Sequence, residues 1–225
     1  MYYTARVLTF VQSALKSYGP SNIKRLLWDK EYSGDKWDFA DNTEGDCVYP
    51  HLEKRAAGGS ILDLGCGTGN TATELAATSY QHYVGADISE VCLRKARRRS
   101  DECGRAHKNQ FIVADFVNYV PTAQFDVILF RESMYHVPMG KIKPTLDRYS
   151  AYLKKGGVFV VRMKTSAPDG EEKRRPLAMI ATIESGFDVV EKCQYKQFGS
   201  TVIVFRPHAR SAVPEAQVGN PHGRN

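Results

Sequence analysis

From residue 60 onward, short apolar runs alternate with longer mixed stretches. "SILDLGC" (60–66), "HYVGADIS" (82–89), "FIVADF" (111–116) and "FDVILFRES" (125–133) read as strands, rich in Ile, Val, Leu and Phe. "TATELAATSY" (71–80) reads as a helix, with Asn70 or Thr71 as its cap. "EVCLRKARRRSDECGRA" (90–106) predicts a long polar helix. "KIKPTLDRYSAYLKK" (141–155) predicts another, with Pro144 in its first turn or kinking it. "GGVFVVRMK" (156–164) reads as a strand that follows a Gly-Gly turn. "KRRPLAMIATIESG" (173–186) is a helical pattern ending at Gly186. "FDVVEKCQYKQF" and "STVIVFRP", separated by "GS", read as an antiparallel hairpin.

Repeated strand–helix alternation implies an α/β fold with a mostly parallel sheet and helices on both faces. The final hairpin adds an antiparallel edge. Three parts follow from the pattern: a helical extension over 1–57, a core over 58–207 and a flexible Pro/Gly-rich tail over 208–225. In the extension, Tyr3, Val7, Leu8, Val11 and Leu15 share one face at helical spacing. That face is expected to pack on the domain. Arg6, Gln12 and Lys16 interrupt the apolar run, which argues against an exported leader.

Composition changes this picture little. The chain has 225 residues, 42% of them hydrophobic, which is enough for one sizeable core. The net charge of +6 favours anionic partners without choosing among them. Cys47, Cys66, Cys92, Cys103 and Cys193 are scattered, with no C-x-x-C pair. Neither a disulfide framework nor a zinc site is expected. Reduced thiols in a cytoplasmic setting are the natural reading, and no metal is called for.

The chemistry concentrates in "LDLGCGTGN", residues 62–70. Gly65, Gly67 and Gly69 stand where the first strand gives way to a helix, so bare backbone can approach a ligand. The spacing is G-x-G-x-G, not the G-x-G-x-x-G of a dinucleotide loop. Asp63, just before the loop, is a poor neighbour for pyrophosphate and suits a ligand with a positive centre. Asp87 ends the second strand, where a carboxylate can accept both hydroxyls of a ribose. Asp115 ends the third, where a carboxylate can accept from an adenine amino group, with Phe116 beside the ring. Taken together after a glycine loop, the two acids read as functional.

With these residues in place, the sequence resembles the class I S-adenosylmethionine-dependent methyltransferases. "ILDLGCGTGN" looks like that family's first motif, "GADIS" its second and "VADF" its third. "FDVILFRES" and "LKKGGVFVV" are similar to its fourth and fifth elements. The resemblance covers residues 60 to about 205. It implies a Rossmann-like seven-stranded sheet of order 3-2-1-4-5-7-6 with strand 7 antiparallel. It implies S-adenosylmethionine as cofactor, held by Asp63, Gly65, Cys66, Gly67, Gly69, Asp87, Ile88, Asp115 and Phe116. A nicotinamide dehydrogenase is disfavoured by the same loop.

The methyl acceptor is expected at "RESMYHVP", residues 131–138, after the fourth strand. His136, Glu132 and Tyr135 are the candidate catalytic residues, with His136 the base because its ordinary pKa lies near neutrality. Arg131 can hold a carboxylate of cofactor or substrate, or form an internal ion pair. An "NPPY"-like motif is absent, which argues against base or glutamine amide methylation. Trp28, Tyr32 and Trp37 in "LLWDKEYSGDKWDF" are candidate substrate-pocket walls and part of an N-terminal helical lid. The basic run "RKARRR" (94–99) reads first as a solvated helix face. "EEKRR", after the fifth strand, lies nearer the expected substrate side and can attract an anionic acceptor. The expected activity is methyl transfer to an oxygen or nitrogen of a small molecule, without a membrane partner. The alternatives are an RNA or protein acceptor, or a non-catalytic cofactor-binding subunit.

Overall fold

The computed structural model describes residues 11–34, 43–166 and 170–208. Seven strands form one sheet: β1 (Ser60–Leu64), β2 (His82–Asp87), β3 (Asn109–Val113), β4 (Phe125–Arg131), β5 (Leu153–Lys164), β6 (Asp188–Tyr195) and β7 (Ser200–Arg206). Their order is β3-β2-β1-β4-β5-β7-β6, as expected. β1 to β5 pair in parallel, and β7 runs antiparallel to both β5 and β6. Residues 11–18 are helical (α1), followed by α2 (Ser21–Tyr32) and α3 (Tyr49–Ala56). The remaining helices are α4 (Asn70–Glu74), α5 (Glu90–Glu102), α6 (Ile142–Ser150) and α7 (Glu171–Gly186). Among the described residues, no helix is long and apolar enough to cross a membrane.

The period-2 alternation of the strands splits the core into two layers. On one face Leu62, Leu64, Ile128, Phe130, Phe159 and Phe205 pack with residues of α6 and α7. On the other, Ile61, Tyr83, Val127, Leu129, Val160 and Val204 pack with α3, α4 and α5. Because both faces are covered, β1 is buried at all five positions. The antiparallel edge is pinned by Phe205, whose ring stacks on Phe159 with centroids 5.0 Å apart.

Several local expectations are corrected. The helix expected over 71–80 stops at Glu74, because Leu75 adopts ψ 147° and leaves the spiral. Arg105 takes the freed carbonyls of Ala72 and Leu75 at 3.1 and 2.7 Å. Gly69, rather than Asn70 or Thr71, is the capping position. The Gly-Gly step is no turn: β5 runs through Gly156 and Gly157, with a register shift against β4 between Phe125 and Val127. The hairpin connection is longer than "GS" and contains a short 3₁₀ turn, Lys196–Phe198. In α1, Val11 and Leu15 are exposed rather than packed, and Lys16 turns inward to pair with Glu31. Tyr3, Val7, Leu8, Trp37 and most of the tail lie outside the described residues.

The stacked pair at the edge gives a stability test. Phe205→Ala opens a cavity against Phe159 and Phe187 and is expected to cost about 3–5 kcal/mol. Urea unfolding reads this directly; an unshifted midpoint contradicts the packing described.

Candidate active site

The carboxyl ends of the parallel strands open into one cavity of about 760 Å³. Its floor is the glycine loop after β1. Gly65 has φ +82°, and a Cβ there would sit 2.5 Å from the Ser133 Cβ. Both backbone and space therefore demand glycine. A Cβ on Gly67 would point at the Tyr32 hydroxyl, 3.2 Å away. The loop is tied to β2 by Asp87, whose two carboxylate oxygens accept from the Gly67 N–H at 3.0 Å and the Ser89 N–H at 2.9 Å. Burial raises the Asp87 carboxyl above the usual range, against the pull of these donors.

Cys66, Ile88, Asp115 and Phe116 also line the cavity. Gly69 and Asp63 do not line it. Gly69 packs against Ala96 of α5. Asp63 shares the Ile61 side of β1, so strand alternation turns it under the α3–α5 layer. There its carboxylate accepts from the Tyr83 hydroxyl at 2.6 Å, and burial pushes its pKa up to about 6.

One face of α2 roofs the cavity and touches all four loops that follow β1 to β4. Ser21 Oγ and Lys24 Nζ donate to Asp115 Oδ2 at 2.9 and 3.1 Å. The Trp28 ring meets His136 edge-on, with centroids 4.8 Å apart. Asp29 Oδ1 accepts from Ser89 Oγ at 2.6 Å and the Val91 N–H at 3.3 Å, capping α5 from outside. Tyr32 covers Gly67. The expected pocket walls Trp28 and Tyr32 are thus brought together with the loop after β4.

That loop is held from below by charge. Arg131 and Arg162 are register partners on β4 and β5. Arg131 donates from Nε and Nη2 to Asp46 Oδ2 at 3.0 and 2.8 Å, so it forms the internal ion pair. Arg162 Nε stands 3.4 Å from Asp46 Oδ1, and its Nη1 binds Glu132. Burial works to raise the Asp46 carboxyl, but the two arginines outweigh it and leave it low. Glu132 sits at φ +54°, a left-handed conformation unusual for a side chain with a Cβ. Burial raises its carboxyl despite Arg162. Tyr135 donates to the Lys164 carbonyl at 3.1 Å, and burial raises its phenol. For His136, burial first, then Lys16 and Arg175, pushes the pKa down to about 4.

The sequence reading missed Lys24, Asp46, Arg162 and Lys164, all of which line the cavity. Arg162 carried a signal: a lone charge in "VFVVRM", matching Arg131 in "VILFRE". The basic segments found other work. Arg175 donates to the Tyr135 and Val137 carbonyls at 2.8 and 3.0 Å, clasping the loop after β4. In α5, Arg97 bonds Glu90 and the Phe111 carbonyl, and Arg99 bonds Asn70. His51, Glu191 and Cys193 form a separate cluster at the β6 edge, where Arg55 and Lys54 already pair with Glu191.

Removing the shared anion is the direct test of this lock. Asp46→Ala leaves the Arg131 guanidinium without its carboxylate and Arg162 with Glu132 alone, and is expected to cost about 3–5 kcal/mol in a urea titration. A wild-type midpoint would show that the arginines need no counter-charge.

Comparison with known proteins agrees with this architecture. Residues 61–157 match the family model described as a methyltransferase domain. Sterol 24-C-methyltransferase erg6 of Aspergillus fumigatus is 31% identical over 123 residues, covering 52% of this chain and 32% of that protein. The 27-O-demethylrifamycin SV methyltransferase of Amycolatopsis mediterranei is 27% identical, covering 50% of this chain and 44% of that protein. The matches span about a third of the length of the sterol methyltransferases (32%, 27% and 30%). The N-methyltransferase NodS from Bradyrhizobium japonicum, solved with S-adenosyl-l-homocysteine, superposes with a TM-score of 0.64. It is 19% identical and covers 82% of this chain and 98% of its own. Residues 61–157 thus match a methyltransferase domain, and the sheet topology is the one that the resemblance to the class I S-adenosylmethionine-dependent methyltransferases implies.

Proposed function

We propose that the chain transfers a methyl group from S-adenosylmethionine to an oxygen or nitrogen of a small molecule. The observation that carries this is the convergence of the glycine loop, Asp87, Asp115 and the wall of Trp28, Tyr135 and His136 on one cavity. Its size, about 760 Å³, falls within the usual range for small-ligand sites. Gly65 and Gly67 leave a cradle that a Cβ would fill, which suits close backbone contact with a ligand. The molecules in the relatives' names, a sterol and 27-O-demethylrifamycin SV, support a small acceptor. The arginines of α5 that bond within the chain weaken the nucleic-acid alternative.

Bound here, S-adenosylmethionine supplies an activated methyl and a neutral thioether leaving group. The chain's residues then do three things. Asp87 accepts from the ribose hydroxyls and Asp115 from the adenine amine. Trp28, Tyr32 and Tyr135 wall the acceptor and exclude water. His136 takes up the proton that an acceptor hydroxyl or amine gives up. Asp63, behind the loop, contributes charge near the positive centre rather than a contact. Glu132 and Arg131 hold the loop in place. Alignment of donor and acceptor supplies most of the rate. The proposed organisation is an extension over 1–57, a core over 58–207 and a tail over 208–225. The five free cysteines support a reducing, cytoplasmic setting.

Two measurements test this reading. Calorimetry should find binding of S-adenosylhomocysteine and none of NAD, and Asp87→Asn should weaken the former by roughly 30-fold or more, the loss of about 2 kcal/mol of charged hydrogen bonding. Unchanged affinity removes the ribose assignment. For His136, a folded pKa of about 4 keeps the imidazole neutral through the working range. Turnover should therefore keep its His136-dependent step down to about pH 4, with no acid limb near pH 6.5. An acid limb near 6.5 that disappears in His136→Phe would overturn the neutral, buried base.

A further inference from the structure

We propose that Lys24 is a gate on the adenine subsite: its ammonium holds the Asp115 carboxylate that the adenine amino group needs, and must yield when adenine seats. The inference rests on the Asp115 assignment made above.

The donors to Asp115 can be counted. Oδ1 accepts from the Val117 N–H at 3.1 Å. Oδ2 accepts from Ser21 Oγ at 2.9 Å and from Lys24 Nζ at 3.1 Å. A carboxylate has about four acceptor positions, so three of them are taken. Ammonium and adenine amine both only donate here, so neither can satisfy the other. Both positions on Oδ2 are filled by Ser21 and Lys24, so an adenine amine that reaches this oxygen competes with the ammonium, in the cavity that Lys24 and Asp115 both line. The pair is secluded, with each side chain only 9% exposed, so water screens it weakly and the competition is strong.

The rest of α2 tells how far the gate has to move. Trp28 against His136, Asp29 on the α5 cap and Tyr32 over Gly67 are separate attachments. They lie four, five and eight residues beyond Lys24, on the same side of the helix. Giving up the Lys24 contact leaves all three in place. The lysine's long stem lets its ammonium swing to water without unfolding the helix. The step is therefore local: one ion pair is exchanged for one hydrogen bond to the ligand.

The test compares three variants by calorimetry and stopped-flow binding of S-adenosylhomocysteine. Lys24→Met keeps the stem and removes the charge; it should bind about five- to tenfold tighter, with faster association, as expected for losing a part-buried ionic competitor. Lys24→Arg keeps a competing cation and should bind like wild type. Asp115→Ala should bind at least about tenfold more weakly, the equivalent of 1.4 kcal/mol. If Asp115→Ala binds as wild type, the adenine assignment fails and the gate with it. If Asp115→Ala is weak but Lys24→Met binds no tighter than wild type, the gate alone is overturned and Lys24 is a positioning residue.

Discussion

Two arginines placed side by side at the ends of the central strands need a shared anion, and the chain brings it from outside the core. Arg131 and Arg162 are register partners, so their like charges would repel across a half-buried gap. Asp46 answers both, and its own geometry is set by the Val48 N–H at 3.0 Å. The turn into α3 is thereby bolted to the strand ends. Arg162 reaches on to Glu132, whose left-handed backbone opens the loop after β4. The position of Tyr135 and His136 is in this way inherited from one carboxylate upstream of β1. The segment before the first strand is a structural part of the site, not an appendage.

The roof is attached by different physics. α2 buries little apolar surface on its outward side, where Leu26 is 65% exposed. Its hold on the core is a short row of polar and ring contacts, one to each loop after β1, β2, β3 and β4. An element held by few buried apolar contacts opens at low free energy. The floor, with both sheet faces covered, does not. A rigid cradle under a detachable roof is what a site needs that must admit a ligand and then exclude water.

Much of this was legible in local pattern. Strand–helix alternation carried the topology, because right-handed crossovers leave few other arrangements. Asp87 and Asp115 were readable because a strand's carboxyl end must face the cavity in such a sheet. Asp63 was readable too, had alternation been applied inside the strand: Leu62 and Leu64 face one layer, so Asp63 faces the other with Tyr83. The pairings that complete the site were not. Lys24 meets Asp115 across 91 positions and Arg131 meets Asp46 across 85, and no local rule links residues so far apart. The early end of α4 was equally hidden, since Arg105, thirty residues downstream, makes it tolerable to stop at Glu74.

The end of the cavity proposed for the acceptor has a consistent electrostatic character. Glu132 is committed to Arg162, the Tyr135 hydroxyl to a backbone carbonyl, and His136 is held neutral by burial and nearby cations. A strong base would have required the opposite: a histidine raised toward neutrality by a facing carboxylate, or a carboxylate freed from its arginine. Methyl transfer from a sulfonium makes small demands of this kind, because the leaving group departs uncharged and needs no acid. What it demands is a lone pair held in line with the carbon–sulfur bond, and water kept away. A neutral imidazole edge-on to an indole, on a loop fixed by buried ion pairs, provides direction and dryness at the expense of basicity. On the proposed function, the site's catalytic power lies in alignment, and the loop after β4 and its roof helix are the elements proposed to choose the acceptor.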